Sequence, residues 1–468
     1  MKRYRKNFVL FCVVLALLLT ACSTGGRQRI TPDELDPALN QEIDPDKEIL
    51  IYARTSPISG SSNLFFDRQA VDKFNRTHDD VQILVKDYYG SAEERGQNYE
   101  RLRSEMAAGQ VPDIIDLAGV PYRQAIQKGY LEDLWPYIEN DPYLGRDGVL
   151  EAPLKAAEVD GGLYAAFGSV TIDTLVGTAS QVGDRTSWTF QELQDAFAAM
   201  PEGATIFEFD TSREEVAYHL MLLSMEDYVD WETGTCSFDS PGFRSMLEFI
   251  GQFPTRKEVD EETAAFADLR ARLTEAEERS IKGLQMLDNR ATVTLRWLPT
   301  RNAEHGGQCA FVGYPVEDGS VGSAFELAGS CLAMSSACGN KEAAWEFLRM
   351  AYLDPRPRAD STGDNYTIPI CKFLYDKQKD RLMTEKQEIF PFVLAMRESV
   401  TVPPLTEEEV RRFEDFFNSI DKIDITWNGT LTKLVLEICG PYFSGDKSLD
   451  ETVALVQNRV GLYVSEQK

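Results

Sequence analysis

The chain has 468 residues, of which 43% are hydrophobic and 26% charged, and this composition is that of an ordinary globular protein. At roughly 150 residues per domain, the length predicts two to four domains, each able to bury a core without disulfide or metal cross-links. The net charge is −28, and a negative field of this size repels nucleic acid and anionic lipid. The chain is therefore not expected to bind either one by electrostatic attraction.

The N-terminus has the pattern of a targeting signal. Its basic residues are Lys2, Arg3, Arg5 and Lys6. The apolar run that follows, residues 8–19, is too short to span a bilayer but suits a signal peptide. It leads into Leu19-Thr20-Ala21-Cys22, which resembles the lipobox of bacterial lipoproteins. The resemblance implies a signal peptide over 1–21 and a lipid on Cys22, which would anchor the protein on the extracytoplasmic face of the cell membrane. The alternative is an ordinary secretory signal with an incidental cysteine.

Residues 22–46 are polar, contain three prolines and show no apolar periodicity, which predicts a flexible tether. Six cysteines follow much later in the chain: Cys236, Cys309, Cys331, Cys338, Cys371 and Cys439. Their even number permits disulfides outside the cytoplasm. The absence of any CxxC pair and the apolar surroundings of several favour buried thiols instead. No pairing is predicted.

Strands and helices alternate from residue 48 onward. Apolar runs predict strands at 49–53, 81–85 and 113–117. Helical spacing predicts helices at 64–75 and 99–108, the second ended by Gly109. This β-α-β-α-β order predicts a parallel, doubly wound sheet, and therefore an α/β fold class.

The remaining elements are mixed. Residues 163–176 are strand-like, and Thr189 with Glu192 forms the capping box of a helix. The further predictions are helices at 188–200, 212–225, 241–253 and 258–281, strands at 291–297 and 328–335, and helices at 341–352 and 449–464.

Five segments resemble, in order and spacing, the family 1 extracellular solute-binding proteins, the sugar-binding group that supplies ABC importers. They are the helix, glycine and Pro-Asp strand entry of 99–115, the Gly-x-Leu-x-Asp-Leu of 129–134, the Asp-Gly-x-x-Tyr hairpin of 160–165, the Trp-Thr helix start of 188–193 and the Ala-Trp-x-Phe-Leu helix of 341–348. One departure follows the hairpin, where Ala166-Phe167-Gly168 stands in place of the family's usual proline, at the crossing strand and pocket edge.

The resemblance implies a two-lobed periplasmic-binding-protein type II fold, with crossing hinge segments and a ligand cleft that closes between the lobes. Lobe 1 is expected at 47–168 plus 323–364, and lobe 2 at 169–322 plus 365–468. It also implies an ABC permease as partner, a monomeric protein and no cofactor or metal.

Ligands of open α/β sheets bind beyond the carboxyl ends of the strands, and this rule selects several candidate residues. They are Arg54 and Ser56 after the first strand, Asp116 and Tyr122 after the third, and Arg296 and Trp297 after the strand at 291–295. The resemblance implies that Trp297 stacks on a sugar and adds Tyr164 and Tyr366 near the lobe crossings. Aromatic faces cover the apolar face of a sugar ring, and charged groups bond its hydroxyls.

Each candidate has a structural alternative. Trp297 is equally consistent with a core position, Asp116 with a cap or a solvated acid, and Arg54 with an ion pair to a neighbouring carboxylate.

Two other functions compete with transport. An enzyme has little support, because the three histidines are scattered and the sequence contains no metal-binding, nucleophile-elbow or phosphate-loop motif. The many Asp and Glu residues still allow a pair of acids that would hydrolyse a glycoside. A ligand-binding sensor or adhesion lipoprotein would use the same fold as an importer component.

Overall fold

The computed structural model describes residues 30–36, 39–56, 65–91, 93–183, 185–208, 211–231, 233–262, 284–289, 293–316, 319–329, 331–350, 367–389, 400–425 and 430–466. Its strands are β1 (Glu48–Arg54), β2 (Val81–Asp87), β3 (Ile114–Asp116), β4 (Ala166–Phe167), β5 (Ser169–Asp173), β6 (Val176–Thr178), β7 (Val229–Asp230), β8 (Thr235–Cys236), β9 (Leu287–Asp288), β10 (Cys309–Phe311), β11 (Ala324–Leu327), β12 (Cys331–Met334), β13 (Ile368–Pro369), β14 (Gln387–Ile389), β15 (Val400–Val402) and β16 (Ile423–Asp424).

The labelled helices are α1 (Phe65–Thr77), α2 (Arg95–Ala107), α3 (Tyr122–Gln127), α4 (Trp135–Asn140), α5 (Glu151–Ala156), α6 (Ala179–Val182), α7 (Phe190–Ala198), α8 (Arg213–Ser224), α9 (Pro241–Ile250), α10 (Leu298–Glu304), α11 (Lys341–Leu348), α12 (Lys372–Thr384), α13 (Glu407–Ser419), α14 (Thr430–Phe443) and α15 (Leu449–Glu466). The chain is therefore mixed α/β, as predicted. No helix in the described ranges is both long and apolar enough to cross a membrane.

The chain divides into a smaller unit, residues up to 120 with 125–132 and 332–347, and a larger unit, residues 121–124, 133–331 and 348–468. These boundaries differ from the expected lobes because 121–124, 133–168, 323–331 and 348–364 belong to the larger unit. There the Leu134 amide donates to the Leu163 carbonyl at 2.6 Å, and the Leu150 amide donates to the Ile370 carbonyl at 2.8 Å.

The smaller unit contains four strands that are neighbours in the order β2-β1-β3-β12. β1 is parallel to both β2 and β3, and β12 joins antiparallel to β3, so the sheet is mixed rather than wholly parallel. The parallel strands are buried almost throughout, as a sheet covered by helices requires. Phe74 of α1 and Phe347 of α11 meet edge to face at 5.8 Å between ring centroids, within this unit's core.

The N-terminal segment corrects the prediction of a flexible tether over 22–46. Its described residues, 30–36 and 39–46, lie along the outer edge of β2, with a bridge between Leu35 and Lys86. The Gln41 side chain accepts from the Val85 amide at 2.8 Å and donates to the Ile83 carbonyl at 3.1 Å. Composition alone did not reveal this because side-chain amides and two ion pairs, rather than apolar periodicity, hold the segment in place.

Among its described residues, the larger unit contains a three-stranded sheet in the order β10-β6-β9, a four-stranded sheet in the order β13-β5-β11-β16 and the two-stranded pairs β7-β8 and β14-β15. Its helices α7 and α8 begin with the capping boxes Thr189–Glu192 and Ser212–Glu215. Aromatic side chains from α7 and α9, including Phe190, Phe243 and Phe249, fill a core that also contains residues of α14 and α15.

Two strand predictions are wrong in detail. Of the described residues 293–297, only Val293 forms a bridge, to Ile172, and residues 295–297 form a turn that leads into α10. Predicted strand 328–335 contains β12 but begins too early, because Gly329 adopts a φ of +125° between β11 and β12. The predicted helix 258–281 is helical as far as 262 and otherwise lies outside the described residues.

The cysteines favour the alternative of buried thiols. All six after Cys22 lie within the described residues and none of them forms a disulfide; five are buried, and Cys236 is partly exposed. Burial raises the pKa of the Cys439 thiol to about 12, so this thiol is held in its unreactive protonated form.

Candidate functional site

Three predicted residues of the smaller unit meet at the carboxyl ends of β1 and β3. Asp116 ends β3 and is fully buried, and its carboxylate accepts hydrogen bonds from the Ser56 hydroxyl and, at 3.1 Å, from the Ala118 amide. Thr55 donates its hydroxyl to the Asp116 carbonyl at 2.9 Å. Burial raises the pKa of the Asp116 carboxyl, although these hydrogen bonds oppose the rise. Asp116 therefore caps the turn after its strand and fixes the loop after β1.

Arg54, at the end of β1, lies between two carboxylates. Its Nε is 2.7 Å from Asp36 and its Nη2 is 2.9 Å from Asp87, while Nη1 donates to the Ser56 carbonyl. Arg54 therefore forms ion pairs with neighbouring carboxylates, which was the structural alternative to a role in ligand binding. Because both carboxylates neutralise the guanidinium, Arg54 positions the 54–56 loop more directly than it offers charge to an acidic ligand.

Aromatic residues adjoin this cluster. The Tyr99 hydroxyl of α2 donates to the Thr55 carbonyl at 2.6 Å. The partly exposed Tyr89 ring, beyond β2, has the Arg95 guanidinium 3.8 Å from its centroid. Sequence reasoning missed Asp87, Tyr89 and Tyr99, although the strand-end rule applied to β2 selects Asp87 directly.

In the larger unit, Arg296 and Trp297 occupy the turn before α10. Arg296 donates from Nη1 to the Gln387 side chain of β14 at 2.8 Å, and the Trp297 amide donates to the Thr294 carbonyl at 3.0 Å. Trp297 is half-buried, so it is neither a fully buried core residue nor a surface residue. An indole in this environment has the partial exposure that stacking on a ligand requires.

Tyr122 and Tyr164 meet each other at the predicted hairpin. The buried Tyr122 hydroxyl donates to the Ala157 carbonyl at 3.0 Å and accepts from the Tyr164 amide at 3.3 Å, so its polar atom serves the fold. Asp160 and Gly161 both have positive φ, as a tight two-residue hairpin turn requires. The Tyr164 ring lies against Gly162, where a Cβ would be only 2.6 Å from the tyrosine oxygen. Tyr122 is buried and Tyr164 is only partly buried, so Tyr164 is the more accessible of the pair.

A polar cluster in the larger unit was not predicted. His219 of α8 places Nδ1 3.0 Å from the carboxylate of Asp173 at the end of β5. The Tyr314 ring stacks on the imidazole with 5.6 Å between centroids. Asp173 ends a strand, as Asp87 and Asp116 do, and this position was the available signal.

This histidine predicts a pH dependence of stability. Burial lowers the pKa of His219, but the hydrogen bond and negative charge of Asp173, with Glu326 and Glu215, raise it above 6.5 overall. Stability from the charged pair is therefore complete below pH 6.5 and lost as pH rises through the folded-state pKa. We expect this loss to be no more than about 1.5–3 kcal/mol, the contribution of a hydrogen bond to a charged group.

The measurement is urea denaturation between pH 5.5 and 8.5. His219→Gln and Asp173→Asn should each flatten the slope of stability against pH in the same way. A His219→Gln protein that retains the parent slope would show that another group titrates.

Two predicted functional residues cannot be placed. Tyr366 and the lipidation residue Cys22 lie outside the described residues. Their roles stay predictions.

Comparison with known proteins identifies the class. The family model of the bacterial extracellular solute-binding proteins matches residues 69–385, which is more than half of the chain. The chain therefore belongs to the bacterial extracellular solute-binding proteins: it is a binding protein of ABC-transporter type that acts outside the cytoplasm, and not an enzyme.

The first of two similar solved structures supports the fold. The sugar-binding protein MalE from the phytopathogen Xanthomonas citri aligns over 90% of this chain and 98% of its own, with 14% identity and a TM-score of 0.50. The galacto-N-biose-/lacto-N-biose I-binding protein of the ABC transporter from Bifidobacterium longum aligns over 91% and 98%, with 16% identity and a TM-score of 0.47. No curated protein matches the chain. The two-lobed solute-binding-protein fold implied by the sequence is confirmed.

Proposed function

We propose that this protein is a lipid-anchored receptor that captures a carbohydrate by hinge closure and delivers it to the permease of an ABC importer. The observation that carries the proposal is the family match, together with a fold shared with a sugar-binding protein. The lipobox-like Leu19-Thr20-Ala21-Cys22 supports the lipid anchor.

The chemistry of the candidate residues supports a carbohydrate as the ligand. Trp297 and Tyr164 present partly exposed aromatic surface, which suits the apolar face of a sugar ring. Asp36 and Asp87 both pair with Arg54, so the positive charge of this arginine is already neutralised and is not offered to an anionic ligand. A neutral, hydroxyl-rich ligand fits both observations.

The direct test is thermal unfolding of the chain from Ser23 onward against mono- and oligosaccharides, polyamines and amino acids. A ligand at a hundred times its dissociation constant stabilises a protein by about 2.7 kcal/mol, which gives a clear shift in Tm. A shift with a sugar supports the proposal, and a shift only with a polyamine or amino acid overturns the substrate class. No shift with any of them would favour the sensor or adhesion function.

We expect Trp297→Ala to weaken binding of the sugar that gives the shift by about 30-fold or more, because a stacked tryptophan at a binding site contributes at least about 2 kcal/mol. Isothermal titration calorimetry measures the affinity. Trp297→Phe is the matched control, since it keeps an aromatic face and should lose less. Unchanged affinity in Trp297→Ala would remove Trp297 from the site.

A further inference from the structure

The N-terminal segment is fastened to one particular end of the sheet in the smaller unit. We name residues 31–36 and 39–46 the N-terminal clasp. It begins beside the carboxyl end of β2, where Glu34 is 2.9 Å from the Lys86 ammonium and the Asp36 amide donates to the Val85 carbonyl at 2.9 Å. Hydrogen bonding holds the pKa of Glu34 at about 2, although partial burial opposes this, so the carboxylate stays ionised at neutral pH.

The clasp then runs antiparallel to β2 toward the other end of the strand. After the Gln41 contacts, the Asp44 amide donates to the Gln82 side chain at 3.0 Å, and Gln82 donates in return to the Glu42 carbonyl at 2.8 Å. The chain next turns into β1, whose first residue, Glu48, is paired with Val81. The clasp thus begins at the carboxyl end of the sheet and ends at the amino end.

This arrangement sets how far the sheet can move from an anchor on Cys22. Only nine residue steps separate Cys22 from Thr31, which span at most about 30 Å even when fully extended. A tether reaching to residue 46 would instead span about 80 Å and would enter the sheet at its amino end. Docking of the clasp therefore shortens the tether, and it places the attachment of the tether at the carboxyl end of the sheet.

We propose that the clasp orients the smaller unit on the membrane, with the carboxyl ends of β1 and β2 held toward the lipid surface. The loop of Arg54 and Ser56 lies at this end, so the candidate ligand residues of the unit would face the bilayer in which a permease resides. This inference rests on the proposed lipid anchor at Cys22.

The test uses the full-length lipidated protein on vesicles of phosphatidylcholine and phosphatidylglycerol that carry an acceptor dye on the headgroups. A donor dye is placed at one of two exposed positions, Ser91→Cys beyond the carboxyl end of β2 or Asp79→Cys before its amino end, in a Cys236→Ser background. The seven residues of β2 separate its ends by about 20 Å, enough to give distinct energy-transfer efficiencies.

We expect more efficient transfer from position 91 than from position 79. Asp36→Asn/Gln41→Ala should release the clasp and reverse this order, because the chain then enters the sheet at Glu48. It should also speed hydrogen exchange of the Val85 amide by about tenfold or more. Glu42→Gln/Asp46→Asn, which alters two exposed side chains of the clasp, is the matched control and should leave the parent order unchanged.

Equal transfer from both positions, or stronger transfer from position 79 in the parent, overturns the orientation. Vesicle flotation separates this from failure of the anchor. The parent should float and Cys22→Ser should not, and a parent that does not float overturns the lipid anchor and this inference with it.

Discussion

Replacement of Asp116 by alanine is expected to destabilise the smaller unit by about 3–5 kcal/mol. The substitution removes the acceptor of the Ser56 hydroxyl and the Thr55 amide, and each buried donor left without a partner costs about 1–3 kcal/mol. It also opens a cavity at a fully buried position. Urea denaturation followed by circular dichroism measures the change, and hydrogen exchange of the β3 amides assigns it to the smaller unit.

Asp116→Asn is the matched control. It keeps the volume and one acceptor oxygen, and it removes a charge that burial disfavours, as the raised pKa of the Asp116 carboxyl indicates. Its loss of stability should be much smaller. If Asp116→Ala unfolds at the same urea concentration as the parent, the hydrogen bonds to Asp116 contribute nothing to the unit.

We expect Phe249→Ala to destabilise the larger unit by a similar amount, about 3–5 kcal/mol, the usual cost of deleting a buried phenylalanine. Phe249 is 1% exposed, and its ring centroid lies 5.2 Å from those of Phe190 and Phe253. Removal of the ring leaves a cavity in a rigid aromatic cluster, and the edge-to-face contacts are lost with it.

Phe373→Ala provides the comparison. Its side chain is 56% exposed, so the same deletion should change stability by no more than about 0.5 kcal/mol. Equal midpoints of urea denaturation for the two variants would contradict the packing of Phe249. Hydrogen exchange of amides in α9 should identify the larger unit as the part that opens more readily in Phe249→Ala.

Sequence patterns predicted the local elements well where apolar periodicity or capping carried the signal. Prediction succeeded for the strands β1 and β2 and the helices α7, α8 and α9. Their apolar spacing and their N-cap residues are local features that can be recognised within a short stretch of sequence. The turn that contains Trp297 was misread as a strand, because strand pairing among the described residues stops at Val293 while Leu295 stays buried within the turn.

The candidate site was predictable to the extent that it follows from strand ends. Asp116, Ser56 and Arg54 meet as this rule expects, since β1 and β3 are adjacent parallel strands. The partners Asp36 and His219 were not predictable, because they reach strand ends from distant segments and no local pattern marks them.

The side-chain amides along β2 have a consequence for solubility at high concentration. An exposed sheet edge offers unpaired backbone groups to the edges of other molecules. Here the outward amide of Ile83 donates to Asn75, that of Val85 donates to Gln41, and the carbonyls of both residues also accept hydrogen bonds. The backbone groups of Ile83 and Val85 are therefore not available to template a neighbouring strand, so the centre of this edge resists pairing with another molecule at high concentration.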